Sequence, residues 1–267
     1  SQCAVALQRA QLYEDRLVRE QQDRDISIAR DIQRDILPDK MPEFADYEIV
    51  GWGQSADETG GDIYDAFTTD PSKAFFLLAD ATGHGIGPAL SVTQVRAMFR
   101  IATTVGADLR EQLTTINAQL SKDLAANRFV TAFFGFLDVE KHVFDYFSAG
   151  QAPLLVYSAS AKAWVGRDAT TFPLGITASI PAIEPEQVIF GPGDIFAIFS
   201  DGFFEFSNSN NELFGEERVQ AVIQRHNQLP LEEILTRLRE SIDLFANGAK
   251  QNDDMTAILV RRRASPQ

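Results

Sequence analysis

The hydrophobic and polar positions of the chain predict a long polar helix, followed by a region of short apolar strands and amphipathic helices. Residues 4–36 contain no Gly or Pro and are rich in Ala, Leu, Gln, Arg and Glu, which predicts a single long helix. Its apolar positions recur three and four residues apart, but residues 19–25 are all polar and interrupt the stripe. Such a thin stripe favours a parallel coiled-coil dimer, or a connector from an upstream sensory domain, over a helix lying on its own domain. The prolines of "ILPDKMP" end the helix.

From Tyr47 onward, short runs rich in β-branched and aromatic residues predict strands that follow one another as neighbours. The predicted strands cover 47–54, 61–68, 73–80, 129–138, 142–148, 153–158, 185–190, 194–200 and 255–262. The predicted helices cover 86–104, 107–126, 215–227 and 231–246. The segment "FLDVEKHVFDYF" is typical of a hairpin that turns at Glu140–Lys141. Because the strands do not alternate with helices, we expect antiparallel sheets with helices packed outside rather than a doubly wound parallel sheet.

Composition and charge exclude several functional classes. With 267 residues, 45% of them hydrophobic, the chain is long enough to bury a core as one large or two small domains. Its net charge of −14 disfavours nucleic acid and anionic membranes as partners. The single Cys excludes an internal disulfide and a Cys-rich zinc site, and three scattered His disfavour a His-rich one. Since no membrane span or signal peptide is evident, we expect a cytoplasmic location, either for the chain itself or as part of a larger sensor protein.

Four Asp-containing stretches share one design, in which an apolar strand meets a turn beside a carboxylate. They are "TGGDIYDAF" (Asp62 and Asp65), "FFLLADATGHG" (Asp80), "IFAIFSDGFFEF" (Asp201) and "KQNDDMTAILV" (Asp253 and Asp254). Any one of them is typical of an Asx turn. Together they favour a metal centre, because converging carboxylates without cations repel one another and are costly to bury. Oxygen ligands without Cys indicate Mg²⁺ or Mn²⁺ rather than Zn²⁺.

The stretch "ADATGHGIGPAL" at 79–90 combines a strand end, a Gly-rich turn and a helix start. Its glycines do not fit the dinucleotide-binding motif in either register, and the chain has no P-loop motif. The turn instead lets Asp80 lie close to the N-terminus of the helix predicted over 86–104. The free N–H groups and partial positive charge of that N-terminus suit a phosphate.

In their order along the chain, these motifs resemble the PP2C-like (PPM-type) metal-dependent serine/threonine phosphatases, and more narrowly their bacterial sporulation-stage-II-E and sigma-B-regulator branch. The segments that carry the resemblance are "ARDIQRDILP" at 29–38, "GGDIYD" at 60–65, "ADATGHGIGPAL" at 79–90, "SAGQAPLLVY" at 148–157, "PLGI" at 173–176, "SDGFFEFSN" at 200–208, "LFGEERV" at 213–219 and "NDDMTAILVRR" at 252–262. The resemblance implies an α+β fold, a four-layer α-β-β-α sandwich of two antiparallel sheets flanked by helices. It also implies that residues 1–38 form a long N-terminal helix and that 39–264 form the phosphatase domain.

The resemblance further implies a site for two Mn²⁺ or Mg²⁺ ions at one end of the sandwich. Asp80 is expected to bridge the two ions. The carboxylate of Asp62 and the backbone carbonyl of Ala81 are expected to bind one of them. Asp201 and Asp253 are expected to bind the other.

Three further residues leave alternatives open. Asp254 is the neighbouring alternative to Asp253, and the sequence does not separate the two. Asp65 lies on the opposite strand face from Asp62, because side chains alternate along a strand, and we expect it to support the ligands rather than bind metal. His84 is either the general acid that protonates the leaving oxygen or a turn residue hydrogen-bonded within its own loop.

The activity implied by the resemblance is hydrolysis of a phosphorylated anti-sigma-factor-antagonist-like protein in a bacterial partner-switching pathway. A metal-activated water attacks phosphorus directly, and no motif for a protein nucleophile is present. The N-terminal helix is expected to form a homodimer and to transmit a signal from an upstream sensor or membrane module. No nucleic acid and no direct membrane contact are expected. The alternatives are a catalytically inactive scaffold of the same fold, which four retained aspartates disfavour, and a hydrolase of small phosphoesters.

Overall fold

The computed structural model describes residues 2–125 and 127–264, and it describes the side chains of the first helix from Gln11 onward, except at 14–15, 18–19 and 22–23. The helices are α1 (Gln2–Asp35), α2 (Ile86–Thr104), α3 (Leu109–Asp123), α4 (Gly202–Glu205), α5 (Gly215–Arg225) and α6 (Leu231–Ala246). The strands are β1 (Tyr47–Gln54), β2 (Asp62–Asp70), β3 (Lys73–Ala81), β4 (Val130–Asp138), β5 (Val143–Ala149), β6 (Leu154–Ser158), β7 (Ala163–Arg167), β8 (Glu186–Ile189), β9 (Ile195–Phe199) and β10 (Met255–Arg262).

The strands form two five-stranded sheets in which neighbouring strands run antiparallel. One sheet has the order β1-β10-β9-β6-β7, and the other has the order β2-β3-β4-β5-β8. The predicted hairpin is confirmed, since β4 and β5 pair in register from Asp138 and Val143 back to Ala132 and Ala149. The prediction of antiparallel sheets with helices outside is therefore confirmed.

Side-chain alternation along β3 explains why the molecule has four layers. Phe75 and Leu77 face α2 and α3, where they pack with Val95 and other apolar residues of those helices. Phe76 and Leu78 face the other sheet and form part of the apolar layer between the two sheets. A strand that is apolar on both faces must be covered on both, and β3 is buried from Ala74 to Ala79.

The second sheet is also apolar on both faces, one turned toward the first sheet and the other toward helices. Phe196 and Ile198 of β9 join the layer between the sheets, where Phe196 packs edge-on against Phe133 of β4. Ile195 and Ala197 face outward, against an apolar cluster that includes residues of α5 and α6. The order of layers is thus helix, sheet, sheet, helix, as the sequence resemblance implies.

Two elements were not predicted from the sequence. Strand β7 is largely exposed at the edge of its sheet, so it lacks the apolar run by which buried strands are recognised. Helix α4 is a single turn, which is too short to show helical periodicity. The predicted helix over 107–126 ends at Asp123 in the structure, and Ala126 lies outside the described residues.

The described part of α1 has a polar surface with isolated apolar side chains. Tyr13, Leu17, Ile28 and Ile32 are exposed, whereas Gln33 near its C-terminal end is buried. Dimerisation through this helix stays a prediction, because the structure describes a single chain. None of the helices in the described ranges is both long and apolar enough to cross a membrane.

Candidate metal centre

The apolar layer between the sheets ends in a polar layer at one end of the sandwich. Asp62 begins β2 and pairs directly with Asp80 near the end of β3. By alternation, both carboxylates lie on the face that β2 and β3 turn toward the other sheet. Asp201 stands two residues beyond the end of β9, and Asp253 and Asp254 directly precede β10. The structure therefore places the aspartates that the sequence predicted as ligands at the same end of the two sheets, where the charges of Asp201, Asp253 and Asp254 act on Asp80.

The glycines before Asp62 allow the backbone to approach the end of β3. A methyl group built on Gly61 would lie 3.0 Å from the carbonyl oxygen of Ala81 and 3.4 Å from that of Gly83. The N–H of Ala81 donates to the carbonyl of Gly61 over 3.0 Å. A side chain at this position would crowd both carbonyls, so glycine allows the loop that carries Asp62 to lie beside the carbonyl of Ala81.

The first pair of carboxylates is unfavourable in its ionised form. Burial, followed by repulsion from Asp80 and Asp254, holds the pKa of Asp62 well above its usual range, although the hydroxyls of Ser200 and Thr256 act in the opposite direction. Its Oδ2 is buried and accepts no hydrogen bond from the described residues. Burial, then the charges of Asp201, Asp253 and Asp254, raise the pKa of Asp80 to about 7. Both carboxylates thus lack a positive partner.

A carboxylate of the other sheet is also unfavourable in its ionised form. Burial and then the charges of Asp253 and Glu205 raise the pKa of Asp201 to about 6. Within the described ranges, no Lys, Arg or His lies within 4.0 Å of the carboxylate of Asp62, Asp80 or Asp201. A divalent cation relieves this repulsion between partly buried carboxylates.

Asp253 and Asp254, which the sequence did not separate, differ in their surroundings. Asp254 is buried, and its carboxylate accepts the backbone N–H of Ala56 over 2.7 Å and that of Asp62 over 3.2 Å. Its oxygens are therefore used to hold the loop that leads into β2. Asp253 is exposed, and its charge acts on Asp80 and Asp201. This geometry favours Asp253 as a ligand and Asp254 as the residue that positions Asp62.

The residues of this end of the sandwich fit a divalent cation by their chemistry, although they do not form a closed ligand set. Among residues 2–125 and 127–264, no group of three or more His, Cys, Asp and Glu is placed so as to hold a metal ion. The unsatisfied Oδ2 of Asp62 and the raised pKa values of Asp80 and Asp201 nevertheless indicate a site that gains from positive charge.

Two candidates from the sequence lie away from these carboxylates. Asp65 is fully buried on the opposite face of β2, where Oδ2 lies 2.9 Å from Nε of Arg96 and 2.6 Å from Nε of Arg100. It attaches α2 to β2, as buried ion pairs with hydrogen bonds do. The side chain of His84 is 92% exposed, and its Nδ1 lies 3.8 Å from a carboxylate oxygen of Asp57. A general-acid role for His84 stays a prediction.

A contact that sequence reasoning missed joins α1 to the same loop. The side-chain amide of Gln33 donates to the carbonyl of Gly60 over 2.7 Å and accepts its N–H over 3.1 Å. Gly60 lies two residues before Asp62. A cavity of about 280 Å³ lies beside this contact, lined by residues of α1 and by Asp62 and Asp254. In the sequence, Gln33 stood out only as part of "ARDIQRDILP" at 29–38, one of the segments that carry the family resemblance.

Arg128 also lies close to the site, although no sequence pattern predicted it. A methyl group built on Gly87 would lie 2.7 Å from Nη1 of Arg128, so the guanidinium rests on the first turn of α2. The adjoining backbone is fixed, since the N–H of Thr82 donates to the carbonyl of Phe129 over 3.1 Å. In the described chain, its guanidinium has no carboxylate within 4.0 Å. An arginine in this position is available to an anion bound from outside.

Comparison with known sequences finds one family model over most of the domain. The model described as Stage II sporulation protein E (SpoIIE) matches residues 70–263. Among curated relatives, the phosphoserine phosphatase RsbU of Bacillus subtilis is 27% identical over 239 residues, which cover 90% of this chain and 70% of RsbU.

Comparison with solved structures finds the same architecture. The SiaA-PP2C domain of Pseudomonas aeruginosa has a TM-score of 0.77 at 21% identity, covering 91% of this chain and 98% of that domain. A structure of RsbX, described as in complex with magnesium, has a TM-score of 0.62 at 15% identity, covering 83% of this chain and 98% of RsbX. At these identities the likeness shows the fold, which confirms the sandwich implied by the sequence.

The unfavourable ionisation of Asp80 predicts that Asp80→Asn stabilises the metal-free domain at pH 8. The folded-state pKa of about 7 lies above the unfolded value, so ionisation destabilises the fold increasingly as the pH rises from about 4 to 7. In the presence of chelator, we expect the free energy of unfolding in urea to rise by about 2 kcal/mol at pH 8, after allowance for partial exposure. The gain should shrink toward zero near pH 4.

The exposed loop aspartate Asp168 provides the control, because Asp168→Asn also removes one charge but Asp168 is not one of the proposed ligands. A gain of the same size in Asp168→Asn would mean that the effect reflects the overall charge of −14 and not the site. A destabilised Asp80→Asn domain at pH 8 would contradict the proposed repulsion.

Proposed function

The chain belongs to the stage II sporulation protein E (SpoIIE) family, and from that premise we propose that it is a metal-dependent protein serine/threonine phosphatase. The substrate that we propose is a phosphorylated anti-sigma-factor-antagonist-like protein of a partner-switching pathway in the bacterial cytoplasm. The name of RsbU, a phosphoserine phosphatase, supports the activity. Residues 39–264 are the proposed catalytic domain, and residues 1–38 are the proposed regulatory helix.

The observation that carries the proposal is the meeting of unpaired carboxylates from two sheets. We assign two Mn²⁺ or Mg²⁺ ions to this polar layer. In this assignment Asp80 would be shared by the two ions. Asp62 and the carbonyl of Ala81 would hold one ion, and Asp201 and Asp253 would hold the other. The raised pKa values of Asp80 and Asp201 support this assignment, because such groups gain most from a nearby cation.

When bound, the ions supply an activated water for attack on phosphorus and positive charge for the phosphoryl oxygens. The chain's own residues position these groups. The carboxylate of Asp254 fixes the backbone of Asp62, and Gly61 keeps the carbonyl of Ala81 accessible. The guanidinium of Arg128 offers planar donors to the substrate phosphate from the first turn of α2. Protonation of the leaving Ser or Thr oxygen by His84 stays a prediction.

Helix α1 is the proposed regulatory element, because Gln33 holds both backbone groups of Gly60. A shift of α1 along or around its axis would pull the loop that carries Asp62, and would thereby change whether the ligands can close around a metal. The exposed Tyr13, Leu17, Ile28 and Ile32 support a homodimer through the same helix. An upstream module would then act on the site by changing how the two helices pair.

Two alternative functions can be distinguished from a protein phosphatase. A catalytically inactive scaffold would not need four carboxylates whose mutual repulsion destabilises the fold. A hydrolase of small phosphoesters would share the metal chemistry, and hydrolysis of nitrophenyl phosphate alone would not separate it from a protein phosphatase. A phosphoserine-bearing anti-sigma-factor antagonist is therefore the decisive substrate.

We predict that the chain releases phosphate from such a phosphoprotein with Mn²⁺, and that chelator abolishes the release. Asp201→Asn should lower kcat by about a hundredfold or more, because it removes a ligand from a site whose chemistry depends on the metal. Phosphate release and Mn²⁺ affinity by calorimetry would be measured on the same preparations, together with Asp168→Asn as the control. Release that persists in chelator would contradict the metal mechanism, and absence of Mn²⁺ binding would favour the scaffold.

Arg128→Ala is expected to raise KM for the phosphoprotein about tenfold and to leave Mn²⁺ affinity unchanged, because a charge-assisted contact to phosphate is lost. Arg128→Lys should recover part of the loss, since a point charge replaces the planar donors. Arg110→Ala is the control, because Arg110 is a half-exposed arginine that pairs with Glu184 instead. Equal KM values for Arg128→Ala and Arg110→Ala would remove Arg128 from the phosphate site.

Gln33→Ala is expected to raise the Mn²⁺ concentration needed for half-maximal activity, because the loop before Asp62 loses its attachment to α1. Gln21→Ala tests the same side chain on an exposed part of the same helix, where Gln21 contacts Asp25. Titration of activity with Mn²⁺ would compare the variants with the unaltered chain. If Gln33→Ala and Gln21→Ala both behave like the unaltered chain, α1 does not act on the site through Gly60.

A further inference from the structure

The two halves of the proposed site belong to different sheets, so their separation depends on contacts that cross between the sheets. One such contact is the bond from the N–H of Asp62 to the carboxylate of Asp254. It links β2 to the residue before β10. A second contact is needed on the opposite side, where Asp80 of β3 faces Asp201 beyond β9.

Gln151 supplies that second contact. It lies in the segment that passes from the end of β5 in one sheet to the start of β6 in the other, and it is only 4% exposed. Its amide nitrogen donates to the carbonyl of Phe199 over 2.6 Å. Its amide oxygen accepts the hydroxyl of Thr131 over 3.0 Å. One side chain thus joins β9 to β4 through hydrogen bonds at both of its ends.

Each partner of Gln151 is directly connected to a proposed ligand. Thr131 is the cross-strand partner of Asp80 in the pairing of β3 with β4. Phe199 is the last residue of β9, two residues before Asp201. The pairing of β6 with β9 ends at Leu154 and Ile198, and Pro153 next to it has no N–H to donate. The side chain of Gln151 therefore takes the place of a missing backbone donor at the point where the chain leaves the sheet for Asp201.

We propose that Gln151 is a positioning residue that sets the separation between Asp80 and Asp201 across the two sheets. This inference rests on the proposed metal-dependent function. Repulsion between the carboxylates pushes the sheet ends apart, and the amide of Gln151 opposes it through Thr131 and Phe199, neither of which is a proposed ligand. A group that orients ligands in this way typically contributes ten- to a hundredfold to metal affinity.

The test compares Gln151→Ala with Gln112→Ala in the full chain. Gln112 is also a fully buried glutamine, whose amide donates to the carbonyl of Ala107 over 2.9 Å beside α3. Both substitutions should lower the urea midpoint in chelator. Only Gln151→Ala should weaken Mn²⁺ binding to the folded domain, by about tenfold, in calorimetry with circular dichroism as the check of folding.

Thr131→Val provides a second variant in case Gln151→Ala does not fold, because it removes one hydrogen bond and keeps the side-chain volume. It should weaken Mn²⁺ binding in the same direction by a smaller factor. Mn²⁺ binding equal to that of the unaltered chain in the folded Gln151 or Thr131 variant would overturn the positioning role and leave the proposed function intact. An unaltered chain that binds no Mn²⁺ would overturn both.

Discussion

Repulsion between carboxylates at the end of the sandwich is the constraint on which the rest of the site depends. Asp62 and Asp80 pair directly across two strands, and the buried Oδ2 of Asp62 accepts no hydrogen bond from the part of the chain that the structure describes. A fold keeps such groups only if something else holds them in place. Here the apolar layer between the sheets does so, because rings such as Phe133 and Phe196 pack edge-on across it and fix the sheet spacing.

Regular alternation made part of the site predictable from sequence. A period of two places Asp62 and Asp80 on the face between the sheets, and it places Asp65 on the other face, where the structure has it. The sandwich followed from the order of apolar strands and from the resemblance. These features depend on residues close to one another in sequence, so a local pattern is sufficient to find them.

The contacts that hold the ligands in place could not be predicted in the same way. Gln33 and Gly60 are 27 residues apart, and Gln151 and Phe199 are 48 residues apart. Each pair is brought together only by the completed fold, and neither glutamine stands in a periodic pattern. The difference between Asp253 and Asp254 also needed the structure, which shows Asp253 exposed and Asp254 buried with its carboxylate on the backbone N–H groups of Ala56 and Asp62.

The free energies of these contacts explain how a small movement would control the site. Burial, and then the charges of Asp201, Asp253 and Asp254, raise the pKa of Asp80 to about 7, which makes its ionisation cost about 4 kcal/mol before allowance for exposure to solvent. A buried hydrogen bond contributes on the order of 1 kcal/mol, and more when its loss leaves a partner unsatisfied. The two bonds of Gln33 and the two of Gln151 are therefore comparable in free energy with the cost of keeping Asp80 ionised. Under the proposed function, changing one or two hydrogen bonds would then be enough to alter the ligand arrangement, so a displacement of α1 at Gly60 would act as a switch without any change in the apolar layer beneath it.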